Sequence, residues 1–300
     1  MKKFQNYIMI IHQDFPDLNI FSIKKMGEGD NSIAFLINEN NIFRFAKRKE
    51  IKQQIRREIL VLPKIKPALN LQIPEFGFIS PETKFVGYKK IEGEIFTNKI
   101  FQSLKKKEQL FIQKTIANFL YQIHSFSVAE LKNCRLETMN PYEEYSDNFE
   151  QAKQLIFPNI SKNKRGIITK LFTQYLCNEN NFKYAPALVH NDFSKDHILF
   201  DTVNKGISGI IDFGDIAFGD RDYDFMYLLD EFGEDFLSGI FKYYQHQYHP
   251  VSLNKIHFFS LANKIQILLT SIKDNDEEGI KNDLKSFNKW FEKSGYFTKS

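Results

Sequence analysis

Residues 189–200 read VHNDFSKDHILF, and residues 210–215 read IIDFGD. Each segment joins acidic residues to a short apolar run of the kind that forms a buried strand. Phosphoryl transfer to an alcohol needs a carboxylate that orients the attacking hydroxyl and takes its proton, and ligands that hold Mg²⁺ against nucleotide phosphates. The first segment supplies Asp192 as this carboxylate and, five residues later, His197 as a metal ligand. Asp212, at the end of the second apolar run, is the other metal ligand that we predict.

The residues before these segments have the pattern of a small antiparallel sheet. Strand-like composition, bounded by Gly- or Asn-containing turns, predicts strands at 20–25, 32–37, 42–46, 76–79 and 85–91. A helix is predicted over residues 52–62, between the third and fourth strands, and Pro63 is expected to close it. This part of the chain is therefore predicted to be β-rich with one helix.

The pattern changes after Gly93. Helical apolar spacing fills residues 104–126 and 140–182, and it returns near the C-terminus. We therefore predict an α+β, bilobal protein-kinase-like fold. A small antiparallel-sheet N-terminal lobe over residues 1–91 would bind the nucleotide, and a larger, mainly helical C-terminal lobe over residues 92–300 would carry the catalytic loop and the acceptor site.

Charge is distributed unevenly along the chain, whose formal net charge is +4. Residues 1–110 contain 20 basic and 12 acidic residues, whereas residues 185–240 contain 3 basic and 12 acidic ones. This asymmetry fits a protein that holds nucleotide phosphates on one side and a cationic ligand on the other. Lysines that only solvate exposed faces are the alternative explanation for the basic part.

Several other classes of protein do not fit the composition. No basic cluster is interleaved with aromatic residues in the manner of a nucleic-acid-binding surface, and the G-x-x-x-x-G-K-[ST] motif of P-loop enzymes is absent. The most apolar stretch, residues 256–272, is interrupted by polar residues and is not expected to span a bilayer. Cys134 and Cys177 have no metal-ligand spacing, which favours a reducing, cytoplasmic setting. We take a monomer as the default state.

The predicted N-terminal lobe supplies candidates for nucleotide binding. Gly27 and Gly29 lie between the first two strands, where backbone amides could cover phosphate oxygens, and Ser32 stands where the longer kinase pattern has a third glycine. On the third strand, Arg44 is predicted to project toward the phosphates. Glu58, on the following helix, is expected to pair with Arg44; a solvated helix residue is the alternative.

These segments resemble the aminoglycoside phosphotransferase family, most closely its 2″-O-phosphotransferase branch. In that branch Asp-Phe-Ser is followed by Asp-His-Ile-Leu-Phe-Asp, as it is over residues 192–201. The resemblance covers nearly the whole chain and implies ATP or GTP as donor, Mg²⁺ as cofactor, and a hinge near Lys90 and Glu92 that meets the nucleotide base. It also implies a metal-binding role for His197, although Mg²⁺ prefers oxygen ligands and residue chemistry alone leaves a supporting role open.

Two positions depart from the family's pattern. Arg44 stands where a lysine is usual, and its forked guanidinium binds phosphate differently from an ammonium. Lys47 is the alternative phosphate contact, although it alternates to the opposite face of the strand. Arg221 replaces the proline of the family's Gly-Asp-Pro motif and is expected to add positive charge near the acceptor. Both departures bear on nucleotide affinity and acceptor identity.

The acidic run after Asp212 is predicted to bind a cationic acceptor, because each ammonium group that loses water on binding needs a carboxylate partner. Asp220 and Asp224 are expected to brace the catalytic loop. The remaining acceptor candidates, which would act together with Asp192, are Asp230, Glu231, Glu234 and Asp235. The attraction of acidic residues to the start of a helix is the alternative explanation.

The sequence thus predicts Mg²⁺-dependent transfer of a nucleotide γ-phosphate to a hydroxyl of an aminoglycoside antibiotic, a resistance activity. One alternative keeps the reaction but changes the acceptor to another small alcohol, such as an amino alcohol, a sugar or a different antibiotic. The other alternative, suggested by Arg44, is a weakly active nucleotide-binding regulatory protein. Either ATP or GTP could serve as the donor.

Overall fold

The computed structural model describes residues 2–29, 32–244 and 250–293. Its α-helices are α1 Gln5–Asp14, α2 Lys49–Ile65, α3 Asn98–Ser103, α4 Lys106–His124, α5 Pro141–Leu155, α6 Lys162–Leu176, α7 Met226–Phe232, α8 Glu234–Phe241, α9 Leu253–Lys273 and α10 Glu277–Lys293. Its strands are β1 Ile23–Glu28, β2 Ser32–Ile37, β3 Asn41–Ala46, β4 Phe76–Ile79, β5 Phe85–Lys89, β6 Glu94–Ile95, β7 Ala187–Val189, β8 Ile198–Asp201, β9 Gly206–Ile210 and β10 Ala217–Gly219.

The first part of the chain forms a five-stranded antiparallel sheet in the order β1-β2-β3-β5-β4. Successive side chains of β2 and β3 alternate between the buried face and the other face of the sheet. The buried side chains form a core together with α1: Ile11, Ile33, Phe35, Ile37, Phe43, Phe45 and Phe85. Strand β1 has the predicted length but lies three residues further along the chain than the predicted 20–25, because it pairs with β2 as far as Glu28 and so includes Gly27. Arg44 lies on the face of β3 turned away from the aromatic core.

Helix α2 also differs from its predicted bounds. The prediction ended it before Pro63, but the helix continues through this proline to Ile65. Proline removes a backbone hydrogen bond from a helix interior. The side chains of Val61, Leu62 and Ile65 are buried in the main core, and we attribute the persistence of the last turn to this packing.

The second part is mainly helical and encloses one large core. Helix α9 packs against α5, α7 and α10. Strand β7 pairs with β10, and the hairpin of β8 and β9 pairs with β6. The backbone N–H of Ile211 donates to the carbonyl of His197 at 3.0 Å. The two segments that carry the predicted catalytic residues therefore run side by side.

Gly93 lies where the sheet gives way to the helical part. Its φ is +146°, and a Cβ at this position would lie 3.0 Å from the backbone oxygen of Phe200, so that a side chain would meet both torsional and steric obstruction. The small antiparallel sheet followed by a larger helical part confirms the predicted α+β architecture. The division at residue 91 stays a prediction. Within the described residues, no helix combines the length and the apolar character needed to cross a membrane.

Candidate active site

The loop after β7 carries Asp192, and a buried carboxylate fixes its backbone. Asp224 accepts hydrogen bonds from the backbone N–H groups of His190 and Asn191, both at 2.8 Å. Its Oδ2 also lies 3.0 Å from Nε2 of the buried His124. Asn191 has a φ of +68°, a left-handed conformation that asparagine tolerates better than most residues. The expected bracing of the loop by Asp224 is therefore present, and partial burial raises the pKa of Asp192 to about 6.

The imidazole of His197 lies close to both Asp192 and Asp212. Its Nδ1–H donates to the backbone carbonyl of Asp192 at 2.9 Å, since a carbonyl can only accept. This bond selects the tautomer in which Nε2 carries a lone pair. That Nε2 lies 3.6 Å from Oδ2 of Asp212, a separation too long for a hydrogen bond but suitable for two ligands of one cation.

Asp212 follows β9 and has a φ of +61°, which is uncommon outside glycine. Such conformations concentrate at functional sites because the surrounding structure must hold them. Its Oδ1 accepts from Nη1 of Arg44 at 2.6 Å. Burial opposes ionisation of this carboxyl, but Arg44, the neighbouring His197 and His190, and a hydrogen bond from the backbone N–H of Gly214 together hold the pKa of Asp212 below its ordinary value.

Arg44 also forms the predicted pair with Glu58. Its Nη2 lies 2.5 Å from both carboxylate oxygens of Glu58, and the two side chains are only 12% and 2% exposed. Burial opposes the charge of the guanidinium, but Glu58 and Asp212 together raise the pKa of Arg44 above its ordinary value. Arg44 therefore remains a permanent cation between the sheet and the loop after β9.

Lys47, the alternative phosphate contact, lies at a different place. Its Nζ donates to the backbone oxygen of Gly29 at 2.8 Å and is 2.6 Å from Oε1 of Glu28. The N–H of Gly29 donates to the carbonyl of Ser32 at 3.0 Å, which closes the turn between β1 and β2. A Cβ at Gly27 or Gly29 would meet nothing within 4 Å, so protein packing does not require glycine there and the space above the turn is open.

The predicted hinge residues pair with each other. Lys90 Nζ lies 2.5 Å from Oε2 of Glu92, and the backbone N–H of Lys90 donates to the carbonyl of Asn40 at 2.7 Å. Both side chains are thus directed to each other and not to Arg44 or Asp212. Their predicted role in meeting the nucleotide base would fall to the backbone.

A cavity of about 560 Å³ opens beside Asp192. Its lining residues are Asp192, Ser194, Lys195, Asp196, His197, Tyr227, Asp230, Glu231, Lys264 and Trp290. Two of the four predicted acceptor carboxylates, Asp230 and Glu231, are therefore on its wall. The other two are not.

Glu234 and Asp235 correct the prediction. They do not line the cavity, and Glu234 instead pairs with Nε2 of His257 at 2.9 Å. The reason is local backbone geometry. Gly233, with a φ of +83°, ends α7 and begins α8, so residues that are adjacent in sequence are carried away from the face of α7 that meets the cavity.

The metal prediction rests on few protein ligands. Among the described residues, no group of three or more His, Cys, Asp or Glu side chains is arranged to hold a metal ion. His197 Nε2 and Asp212 still offer one lone pair and one carboxylate. This donor set fits Mg²⁺, which usually takes one or two protein carboxylates and completes its shell with water and substrate phosphates.

Comparison with known proteins identifies the family of this chain. Residues 27–259 match the sequence profile of the phosphotransferase enzyme family, APH. The chain belongs to this family. It is a kinase-like phosphotransferase, as the sequence predicted, and similar solved structures confirm the predicted fold.

Two such structures are of the APH(2″) type. The GDP and kanamycin complex of APH(2″)-IIIa is 26% identical, covers 96% of this APH-family chain and 99% of its own, and superposes with a TM-score of 0.89. The streptomycin–ATP–APH(2″)-IIa ternary complex is also 26% identical, covers 95% of each chain, and has a TM-score of 0.75. These similarities confirm the resemblance to the 2″ branch. YcbJ of Bacillus subtilis (strain 168), an uncharacterised protein, is 22% identical over 216 residues, which are 68% of this chain and 67% of YcbJ.

Arg221, one of the two departures of this APH-family chain from the family's pattern, lies beside a different cavity. Arg221 is not on the wall of the cavity beside Asp192; it lines a separate cavity of about 830 Å³ with Asp220, Asp222 and Lys255. Arg221 therefore adds no positive charge to the wall of the cavity beside Asp192, and its predicted place near the acceptor stays a prediction. The lysines on the wall of the cavity beside Asp192 are Lys195 and Lys264.

Sequence reasoning assigned no role to six of the cavity residues: Ser194, Lys195, Asp196, Tyr227, Lys264 and Trp290. Lys195 lies inside the catalytic motif, and its place three residues after Asp192 was an available signal. Trp290, the only tryptophan in the chain, donates its indole N–H to Oδ1 of Asp230 at 2.9 Å. The sequence pattern of α10 gives no indication of this contact, because Asp230 lies 60 residues before Trp290 in the chain.

Proposed function

We propose that this chain transfers the γ-phosphoryl group of ATP or GTP, with Mg²⁺, to a hydroxyl of a cationic acceptor of the aminoglycoside class. One observation carries the proposal. Asp192 lines the cavity, and its Oδ2 lies 3.5 Å from Nδ1 of His197, whose Nε2 is in turn 3.6 Å from Oδ2 of Asp212. A carboxylate in this position can meet an acceptor hydroxyl on one side and face a nucleotide phosphate on the other.

Asp192 orients the acceptor hydroxyl and accepts its proton as the bond to phosphorus forms. Asp224 holds the backbone N–H groups of the two preceding residues, His190 and Asn191, so the start of the loop does not have to be ordered when the acceptor binds. His197, through Nε2, and Asp212, through its carboxylate, are the residues that would hold Mg²⁺. When bound, this ion neutralises charge on the nucleotide phosphates.

Nucleotide binding is assigned to the sheet and the hinge. The open space over Gly27 and Gly29 suits phosphate oxygens, which backbone amides can bind. Arg44, held by Glu58 and Asp212, supplies a permanent positive charge beside the predicted metal ligand. The hinge near Lys90 and Glu92 would meet the base through backbone groups. The nucleotides named for the similar structures are GDP and ATP, which supports both donors.

The acceptor assignment is supported by the excess of carboxylates over ammonium groups on the cavity wall and by the aminoglycosides named for the similar structures. A second candidate keeps the reaction but takes another small alcohol. The lysines of the cavity favour this second candidate, because they reduce its attraction for a polycation.

The test is nucleotide consumption by the purified protein with ATP and with GTP, across a panel of aminoglycosides, amino alcohols and sugars. Asp192→Asn, which keeps the size and removes the base, is the control and should lower kcat by about 10²- to 10⁴-fold. Turnover with aminoglycosides that disappears in the control supports the proposal. Turnover only with simple sugars or amino alcohols selects the second candidate. Nucleotide binding without turnover of any alcohol points to a regulatory protein and contradicts both.

A further inference from the structure

The acceptor cavity contains its own cations. Apart from His197, its charged lining residues are Asp192, Lys195, Asp196, Asp230, Glu231 and Lys264. Four carboxylates and two ammonium groups give these residues a formal charge of −2. We propose that Lys264 and Lys195 determine acceptor specificity, by neutralising two carboxylates and so reducing the preference for acceptors with several ammonium groups over acceptors with one. This inference rests on the proposed function and narrows its substrate class.

Both carboxylate oxygens of Asp230 face polar groups of the protein. Its Oδ1 accepts from Oγ of Ser260 at 2.5 Å and from Nε1 of Trp290 at 2.9 Å. Its Oδ2 lies 3.2 Å from Nζ of Lys264. Ser260 and Lys264 are one turn apart on α9, so both face α7. An acceptor ammonium could pair with Asp230 only by displacing Lys264, which is itself three-quarters buried.

Glu231 is engaged in a similar way. Its Oε2 accepts from Nζ of Lys195 at 2.9 Å, and its Oε1 accepts from the backbone N–H of Asn98 at 3.1 Å. Asn98 is the first residue of α3, where an anion is favoured by the helix dipole. The side chain of Lys195 is more exposed than that of Lys264, so breaking the ion pair between Lys195 and Glu231 costs less free energy. Lys264 is therefore expected to have the larger effect on acceptor specificity.

Neutralised carboxylates bind ammonium groups poorly. The Coulomb energy gained from an incoming ammonium is offset by the lysine pair that must break. An acceptor with several ammonium groups must lose water from each of them, and each then lacks a free partner. An acceptor with one ammonium group needs one carboxylate, and the exposed Asp196 on the same wall can supply it. Asp192 remains available for the hydroxyl.

The experiment measures the ratio of kcat/KM for kanamycin, which has several amino groups, to kcat/KM for glucosamine, which has one. Lys264→Gln removes the charge but keeps a hydrogen-bond donor for Asp230, and Lys264→Arg keeps the charge. Lys195→Gln tests the second pair. The matched control is Lys273→Gln, at an exposed position of the same helix and outside the cavity.

Lys264→Gln is expected to raise the ratio about tenfold, the effect of one charge-assisted contact made available to the acceptor. Lys195→Gln should raise it less, while Lys264→Arg and Lys273→Gln should leave the ratio where it was. Thermal melting of each variant checks that the fold is kept. If Lys264→Gln fails to fold, Lys195→Gln carries the test, because its site is more exposed.

An unchanged ratio in both glutamine variants would overturn the inference. A lower ratio would also overturn it, because the lysines would then be holding the carboxylates in a geometry that binds polycations. If the wild type transfers phosphate to no alcohol, the proposed function fails separately. Calorimetric titration with kanamycin then decides the inference: a Kd about tenfold lower in Lys264→Gln than in the wild type supports it, and an equal Kd overturns it.

Discussion

Arg44 Nη1 donates to Oδ1 of Asp212 at 2.6 Å, which joins the centre of the sheet directly to the predicted metal ligand. The same guanidinium holds both oxygens of Glu58. One cation thus links β3, α2 and the segment after β9, and a second contact, from Gln54 to Asp215 at 2.7 Å, runs beside it. An arginine can make such a link because its planar head carries several donors in a fixed fork, which an ammonium does not.

Replacing Arg44 by lysine is expected to break this bridge. A single ammonium cannot hold Glu58 and Asp212 in the same geometry, so the sheet becomes less firmly placed over the catalytic segments. We expect the nucleotide KM of Arg44→Lys to rise about tenfold, the loss of one charge-assisted contact. Steady-state kinetics with varied nucleotide and fixed Mg²⁺ measure this change.

Lys47→Met is the comparison for Arg44. Lys47 contacts Gly29 and Glu28 at the turn, so its loss should change the nucleotide KM less than Arg44→Lys does. A larger effect at Lys47 would identify it as the phosphate contact. No change in either variant would show that neither residue touches phosphate.

Asp224→Asn should weaken the catalytic loop. The amide has one acceptor oxygen, so it cannot accept from His190 N, Asn191 N and His124 Nε2 in the way that the carboxylate does. A buried donor left without a partner costs about 1–3 kcal/mol. We expect a loss of this size in the free energy of unfolding, measured by urea denaturation, and a lower kcat because Asp192 loses its support.

The control for this prediction is Asp235→Asn, at an exposed position of α8. A surface change of this kind usually stays within about 0.5 kcal/mol. Equal losses for the two variants would mean that Asp224 does not brace the loop.

Magnesium dependence should be sensitive to His197 and Asp212. Removal of the metal by a chelator is expected to abolish turnover, and excess Mg²⁺ to restore it. In Asp212→Asn and His197→Ala the Mg²⁺ concentration for half-maximal rate should rise, by about 10- to 100-fold for loss of a metal ligand or its support. His12→Ala, at an exposed position of α1, is the control and should keep the wild-type Mg²⁺ dependence. A Mg²⁺ dependence unchanged in His197→Ala would assign this imidazole to a supporting role.

Stability should depend on pH through Asp222, which lies apart from the catalytic residues. Its Oδ2 accepts from the backbone N–H of Ser252 at 3.0 Å, and burial followed by the charge of Asp220 raises the pKa of Asp222 to about 6. The folded state therefore keeps a proton that the unfolded state releases near the ordinary carboxyl pKa of 3.8. Ionisation of Asp222 therefore lowers stability as the pH rises from about 4 to about 6, by roughly 2–3 kcal/mol in all.

Asp222→Asn isolates this effect, because an amide does not titrate. Urea denaturation of both proteins at several pH values is expected to give a difference that grows in favour of the variant up to about pH 6 and is then constant. A difference that does not change with pH would mean that Asp222 ionises in the folded protein as readily as in the unfolded chain.

The sequence by itself determined the catalytic segments and the general architecture. Asp192 and His197 are five residues apart in one loop, and the Nδ1–H of His197 reaches the carbonyl of Asp192. Local spacing is enough to predict such contacts, because the connecting chain is too short for many arrangements. The alternating strands and the pairing of Arg44 with Glu58 followed from periodicity and from the motif downstream.

Only the tertiary structure decided which acidic residues line the cavity beside Asp192 and which charged groups they meet there. Asp230 and Glu231 reach the cavity while Glu234 and Asp235 do not, because Gly233 redirects the chain between them. The partners of Asp230 come from α9 and α10, 30 or more residues away, so no local pattern reports them. A carboxylate's capacity to bind a cation depends on the groups packed around it, and those groups are brought together only by folding.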